Sequence, residues 1–213
     1  SVTGTFADKN AAPDKTVVLS NAVDAGADKN NYLITDQVTS AATITPKALT
    51  VSGLKAQDKV YDGNQTAQVD TSKPFAENSG LVKNDDVQVS SVTGTFSDKN
   101  AAPGKTVTLS NPVYDGVDRK NYRIVDQQTT IASITPKDLV VSGLKAQDKV
   151  YDGNQTAQVD TSTPFADNSG LVKNDDVKVS SVTGTFADKN AAPDKTVTLS
   201  NPVYDGVDRK NYQ

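Results

Sequence analysis

The sequence predicts an all-β chain of tandem immunoglobulin-like sandwich domains joined end to end, and three observations carry the prediction. First, the chain repeats itself at a spacing of 90 residues without a gap: SVTGTFADKN at 1–10 returns as SVTGTFSDKN at 91–100 and unchanged at 181–190. Residues 47–123 match 137–213 at all but eight positions, from Ala48 against Asp138 to Arg123 against Gln213. Solenoid repeats run to ~20–50 residues, so this period suits a small independently folding domain instead. Second, Glu77 is the only glutamate against 25 aspartates. Aspartate favours turns and caps, so loops should be many and helices few. Third, the apolar residues fall in short alternating runs rich in Val and Thr, the signature of half-buried strands.

The repeat sets the organisation. Residues 1–46 correspond to the C-terminal half of a unit, 47–136 to one complete unit, and 137–213 to a unit without its last strands. The chain is thus expected to be a piece of a longer array. In the complete unit the predicted strands are Leu49–Leu54, Lys59–Tyr61, Thr66–Val69, Val87–Phe96, Thr106–Leu109, Tyr122–Val125 and Thr129–Ile134. Each combines β-branched residues with period-2 alternation. Turn signals separate them at Asp62-Gly63-Asn64, Lys83–Asp86, Asp98-Lys99-Asn100 and Asp115-Gly116, where residues tolerate φ > 0 or bond their own backbone. Only Pro74–Leu81 (PFAENSGL) could hold a helical turn or two. About seven strands in such a unit fit an immunoglobulin-like sandwich. A smaller mixed β fold with one short helix is the alternative.

At each junction, Pro46 or Pro136 stands between the last strand of one unit and the first of the next. Proline fixes its own φ and drives the preceding residue toward extended geometry. No Gly/Ser-rich tether intervenes, so a stiff rod rising about 30–40 Å per unit is expected.

Composition excludes several functions. Cys, His, Met and Trp are all absent, which removes thiol nucleophiles, Ser-His-Asp and Cys-His catalysis and the commonest transition-metal ligands. The net charge is −4, and unit 47–136 carries ten basic and ten acidic side chains. No basic patch interleaved with aromatics appears, so nucleic acid is not an expected partner. No membrane-inserting segment occurs within the chain. Nearly identical units argue against a single special site and for a function that adds with copy number, and no enzymatic activity is expected.

Lys59-Val60-Tyr61-Asp62-Gly63, its copy ending in Tyr151-Asp152-Gly153, Ile44-Thr45-Pro46-Lys47, Gly80-Leu81-Val82-Lys83-Asn84-Asp85-Asp86-Val87, the Phe96–Lys99 segment and Asn121-Tyr122 together resemble the YDG-type repeats of large bacterial surface adhesins. The likeness extends over the whole chain. It implies secretion, display on the bacterial cell surface, tandem repetition behind an adhesive tip, as in biofilm adhesin stalks, and no catalytic residues. The expected role is therefore a structural spacer whose partners are neighbouring repeats. The alternative is a module in which each repeat weakly engages host or biofilm glycan, protein or a copy of itself, with avidity supplying strength. One departure is the loop Asp24–Asn31 (DAGADKNN), which differs from Tyr114–Asn121 (YDGVDRKN).

Among individual residues, Tyr61 and Tyr151 read as core or corner tyrosines beside a tight turn, with a sugar-stacking platform as the competing role. No cofactor is expected. The one candidate is calcium, with Asp85, Asp86, Asp175 and Asp176 as ligands and Asp24/Asp28 and Asp115/Asp118 in similar loops, although the spacing lacks the EF-hand pattern. Lys59 and Lys149 are candidates for an intradomain isopeptide bond. Asn64 and Asn154 open N-x-T sequences that read as turns. The unit without its last strands is expected to expose a sheet edge or to borrow a strand.

Overall fold

A computed structural model describes residues 1–213 in full, and the chain is all-β. The first partial copy forms β1 (Thr3–Phe6), β2 (Ala12–Ser20) and β3 (Thr39–Ile44), an antiparallel sheet in the order β1-β2-β3. The complete copy contributes β4 (Lys47–Thr50), β5 (Lys55–Ala56), β6 (Lys59–Val60), β7 (Thr66–Ala67), β8 (Val69–Asp70), β9 (Gln88–Phe96), β10 (Ala102–Asp115), β11 (Tyr122–Val125) and β12 (Thr129–Thr135). The third contributes β13 (Lys145–Ala146), β14 (Thr156–Ala157), β15 (Val159–Asp160), β16 (Lys178–Phe186) and β17 (Val197–Asp205). The only helical segments are three-residue 3₁₀ turns at Lys29–Asn31, Arg119–Asn121 and Arg209–Asn211. No helix is long and apolar enough to cross a membrane.

Three expectations change. The predicted strand Leu49–Leu54 starts earlier and stops sooner, as Lys47–Thr50. Pro74–Leu81 contains no helix, only a turn closed by Ser79 N–H donating to the Ala76 carbonyl at 3.0 Å. Its backbone is spent elsewhere: the Pro74 carbonyl accepts from Ser52 and Gly53 N–H, and the Ser79 carbonyl accepts from Thr50 N–H. The bonds to Pro74 hold the segment irregular, since a helix would need that carbonyl for its own first turn. β10 is also far longer than the predicted Thr106–Leu109. Pro103-Gly104 and Asn111-Pro112 lie inside it, with Gly104 at φ 59° and Asn111 at φ 50°. A register shift between Ala102 and Lys105 marks the first as a bulge, a site that accommodates proline without costing a ladder bond.

The fold forms two compact units whose limits do not coincide with the repeats. One unit comprises Ser1–Lys55, Val69–Thr93 and Leu109–Gln128, and the other Ala56–Gln68, Gly94–Thr108 and Thr129–Gln213. Each therefore combines residues of one copy with residues of the next. In the first unit β4 and β11 pair in parallel, from Tyr122 opposite Lys47 to Val125 opposite Thr50. This ladder buries Leu49 and Tyr122 with Val87, and Phe75, Leu81 and Ile124 pack against that cluster. In the second unit the sheet order is β6-β12-β10-β9-β7. β12 runs antiparallel to β10 and parallel to β6, with Ile134 opposite Lys59 and Thr135 opposite Val60. Phe96, Val107, Ala132 and Ile134 are buried here. The third copy adds β14-β16-β17 and β13-β15 to this unit.

Gly53 ends the strand entry of the complete copy at a close backbone approach. A Cβ there would stand 2.0 Å from the Lys73 carbonyl oxygen, an atom that cannot move aside without shifting its segment. Gly53→Ala is expected to destabilise the chain by about 1–3 kcal/mol, the usual cost of forcing atoms into a packed site. Equilibrium denaturation read by circular dichroism checks this value.

Candidate functional site

The site begins with the loop that follows β9. The Asp98 carboxylate accepts from Asn100 N–H at 2.8 Å and pairs with the nearly buried Lys105 ammonium at 2.7 Å. Lys105, and then the Asn100 amide, hold the Asp98 carboxyl below the ordinary carboxylate range. An aspartate bonding the backbone two residues on is the expected means of fixing such a turn. The loop is thereby set with Lys99, Asn100 and Ala101 at its tip. Asp8 with Lys15, and Asp188 with Lys195, repeat the arrangement in the other copies.

The receiving surface belongs to the following copy. In the first compact unit, Lys9 Nζ lies 2.7 Å from Asp85 Oδ1 and 2.9 Å from Asp118 Oδ1. Asp85 sits in a turn that Asn84 enters at φ 69°. It accepts a 2.6 Å hydrogen bond from the Tyr122 hydroxyl, which itself accepts from Val82 N–H at 3.0 Å. Asp118 stands just before the Arg119–Asn121 turn, and its second oxygen accepts from Asp86 N–H. Asn121 completes the contact: its Oδ1 accepts from Ala11 N–H at 2.8 Å and its Nδ2 donates to Asn10 Oδ1 at 3.2 Å.

Ninety residues on, the second compact unit holds the same clamp. Lys99 Nζ is 3.0 Å from Asp175 Oδ1 and 3.2 Å from Asp208 Oδ1. Tyr212 donates to Asp175 Oδ2 at 2.6 Å and accepts from Val172 N–H at 2.9 Å. Ala101 N–H donates to Oδ1 of Asn211, a fully buried side chain. One partner is added here. The Tyr61 hydroxyl donates to Asp175 Oδ2 at 2.8 Å, and its ring meets Tyr212 edge to face with centroids 5.5 Å apart. Lys99 Nζ lies 5.9 Å from the centre of the Tyr61 ring, within range of a cation–π attraction. The Asp175 side chain is 3 % exposed, against 10 % for Asp85.

The charges shift accordingly. Hydrogen bonds from Lys9, then Tyr122, lower the Asp85 pKa, and Lys9 does the same for Asp118. Burial acts to raise that of Asp175, but hydrogen bonds from Tyr212, Tyr61 and Lys99 outweigh it and the net shift is downward. Lys9 and Lys99 are pushed well up, each chiefly by its hydrogen bond to the facing aspartate, Asp85 or Asp175. Burial, then the neighbouring aspartate, raises the hydroxyls of Tyr61, Tyr122 and Tyr212. The arrangement holds each lysine between two aspartates.

The other predicted residues fall around this clamp. Asp62 pairs with Lys59 at 2.7 Å and accepts from Asn64 N–H, while Lys59 also donates to the Asn64 carbonyl and side chain. Asp152, Lys149 and Asn154 repeat that turn. Gly63 adopts φ 79°, and a Cβ there would meet Val172 Cγ1 of the next copy at 2.7 Å. Gly153 has a similar φ of 82° with nothing within 4 Å. Tyr61 is 1 % exposed, against Tyr212 and Asp175 of the following copy, and Tyr151 is 58 % exposed. Of the calcium candidates, Asp85 and Asp175 face lysines. Asp86 accepts from Gln88 Nε2 and Val117 N–H, and Asp176 pairs with Lys178. No three His, Cys, Asp or Glu side chains are placed to hold a metal ion. Pro46 joins β3 to β4. After β12, Pro136 leads to Lys137, which bridges Tyr212 in parallel.

Sequence reasoning missed Lys9, Lys99, Asn121 and Asn211. Their signal was there in the unaltered copying of Asp-Lys-Asn at 8–10, 98–100 and 188–190 and of Asn-Tyr at 121 and 211. No curated protein and no solved structure matches the chain. The family model described as "YDG domain" matches residues 45–131 and again 135–213, most of the chain between them. Tyr61-Asp62-Gly63 and Tyr151-Asp152-Gly153 lie one in each match, and the chain belongs to the YDG domain family as a tandem repeat.

Proposed function

We propose that these repeats are the structural spacer of a bacterial cell-surface adhesin, projecting a distal binding domain from the cell. The observation that carries this reading is the clamp found twice at a 90-residue spacing, Lys9 on Asp85 and Asp118, then Lys99 on Asp175 and Asp208. Each copy spends its best-formed polar cluster on the copy before it, so the output of the site is connection. A contact that fixes one repeat against the next makes length proportional to copy number. The acidic and tyrosine side chains that could serve a reaction are spent on lysine and backbone partners, in keeping with a role without catalysis.

Arrays of two, three and four complete repeats, compared by small-angle scattering, test the proposal. The maximum dimension is expected to grow by a constant increment per repeat, about 30–40 Å if strands of ordinary length lie along the axis. Growth as the cube root of mass, the behaviour of a collapsing globule, would overturn it. Glycan binding that strengthens with each added repeat would favour the weak-binding module instead.

A further inference from the structure

In the complete copy, β9 and β10 each run from one compact unit into the other, crossing at Thr93–Gly94 and Thr108–Leu109. Near the crossing each strand changes the face that it covers. β9 buries Val89, exposes Ser90 and Ser91 in succession, and then covers Val92, Gly94 and Phe96. β10 buries Lys105, Val107 and Leu109, and then half-covers Ser110, Pro112 and Tyr114, with Asn111 at φ 50° at the change. Side chains alternate across a strand, so a switch from odd to even positions moves the covered side to the opposite face. β16 repeats the switch: Val179 is buried, Ser180 and Ser181 are exposed, and Val182 and Gly184 are covered, with register shifts between Val179 and Thr183. One pair of strands thus serves two cores. Leu49, Val87 and Tyr122 are buried in the first unit, and Phe96, Val107, Ala132 and Ile134 in the second.

Each core is joined to a different neighbour. Beside the first, Asp85, Asp118 and Asn121 bond Lys9, Asn10 and Ala11 of the preceding copy. Beside the second, Tyr61, Lys99 and Ala101 bond Asp175, Asp208 and Asn211 of the following copy. The complete copy has a neighbour on each side, so both sets of bonds are made. Each set also stays inside one compact unit, Lys9 with Asp85 in the first and Lys99 with Asp175 in the second. Segments open together where they share a core and its hydrogen bonds, and sequence boundaries do not decide the grouping.

We propose that the part of this chain that opens cooperatively is the junction, made of one half of a copy with the facing half of the next, and that the two halves of a single copy open separately. The array is then a row of nearest-neighbour units, as in other repeat proteins, but with the cooperative unit out of step with the sequence repeat.

Native-state hydrogen exchange on the 213-residue chain, read amide by amide by NMR in denaturant too weak to unfold it, tests the proposal. The reporters are backbone donors in known bonds: Thr50, Val51 and Asp118 in the first unit, and Tyr61, Phe96, Val140 and Asp208 in the second. In Lys99→Ala, protection at Tyr61, Phe96, Val140 and Asp208 is expected to fall together, by about tenfold to a hundredfold. Thr50, Val51 and Asp118, two of them in the same strand region and all in the same copy as Lys99, should change by less than about threefold. Lys9→Ala should give the reverse pattern, with Thr50, Val51 and Asp118 losing protection and Tyr61 and Phe96 keeping it. A loss in Lys99→Ala that reaches Thr50 and Val51 in equal measure would make the copy or the whole chain the unit and overturn the proposal. A loss that spares Tyr61 and Phe96 while Val140 and Asp208 exchange faster would sever the two sides of the junction and overturn it too, as would protection unchanged at every reporter.

Discussion

Tyr61→Ala is expected to destabilise the chain by about 3–5 kcal/mol, the usual cost of emptying an aromatic site in a core. Tyr151→Ala is expected to change stability by no more than about 0.5 kcal/mol, as at an ordinary surface position. The two tyrosines share the same local sequence, KVYDGNQTAQVDTS, so the contrast isolates what the neighbouring copy contributes. Tyr61 is 1 % exposed, packs edge to face on Tyr212 and donates to Asp175, while Tyr151 is 58 % exposed. Tyr61→Phe separates ring from hydroxyl. It keeps the packing and loses one hydrogen bond to a charged acceptor, a change of about 1.5–3 kcal/mol. Chemical denaturation of the three variants, followed by circular dichroism, gives the values. Equal effects at 61 and 151 would place the worth of the tyrosine inside its own repeat and refute the junction role.

This contrast gives the three letters of the motif distinct duties. Tyr61 reaches across to the following copy. Asp62 holds the turn by pairing with Lys59 and capping Asn64 N–H. Gly63 supplies the positive φ and leaves room for Val172. A motif whose first and last members both answer to the next repeat is one that a lone domain would not need.

What could be read from the sequence was what local chemistry decides. The turns at Asp62-Gly63-Asn64 and Asp115-Gly116 were visible because Asp, Asn and Gly act within two residues of themselves, and both glycines do have positive φ. β11 was found with its limits, and β9 and β12 to within a residue. β10 was cut short because the alternation of its neighbours lapses at Pro103-Gly104, where a bulge takes up the proline and the strand runs on. The clamp was out of reach for another reason. Lys99 and Asp175 are 76 residues apart, and nothing near either one announces the other. Tyr61 and Tyr151 make the limit plain, since one local sequence takes two environments. The three 3₁₀ turns were likewise unforeseen, because no cap or periodicity marks a three-residue helix.

Lys99→Ala is expected to cost about 2–3 kcal/mol near neutral pH. Removing one partner of a fully buried pair costs about 3–5 kcal/mol. The lower figure applies because Lys99 itself is 38 % exposed, so water can reach the site once the ammonium is gone. What remains is a carboxylate, 3 % exposed, held only by the Tyr61 and Tyr212 hydroxyls. The pH dependence has a definite sign. Asp175 has a lowered folded-state pKa, so its contribution is present above the ordinary carboxylate value of about 3.9 and fades as pH falls through the folded value. Lys99 has a raised one, so its contribution is complete below about 10.4 and fades only as pH rises through its folded value. Without Lys99, burial opposes only the tyrosine hydrogen bonds, and the Asp175 pKa moves up. The variant thus recovers relative to the parent as acid protonates that carboxyl. The stability difference should be flat from about pH 5 to about pH 10 and shrink below about pH 4. Denaturation midpoints of both chains across this range read the difference directly. A gap that persists undiminished in acid would mean that Lys99 stabilises the junction by packing its stem on Tyr61, and the charge clamp would have to be given up.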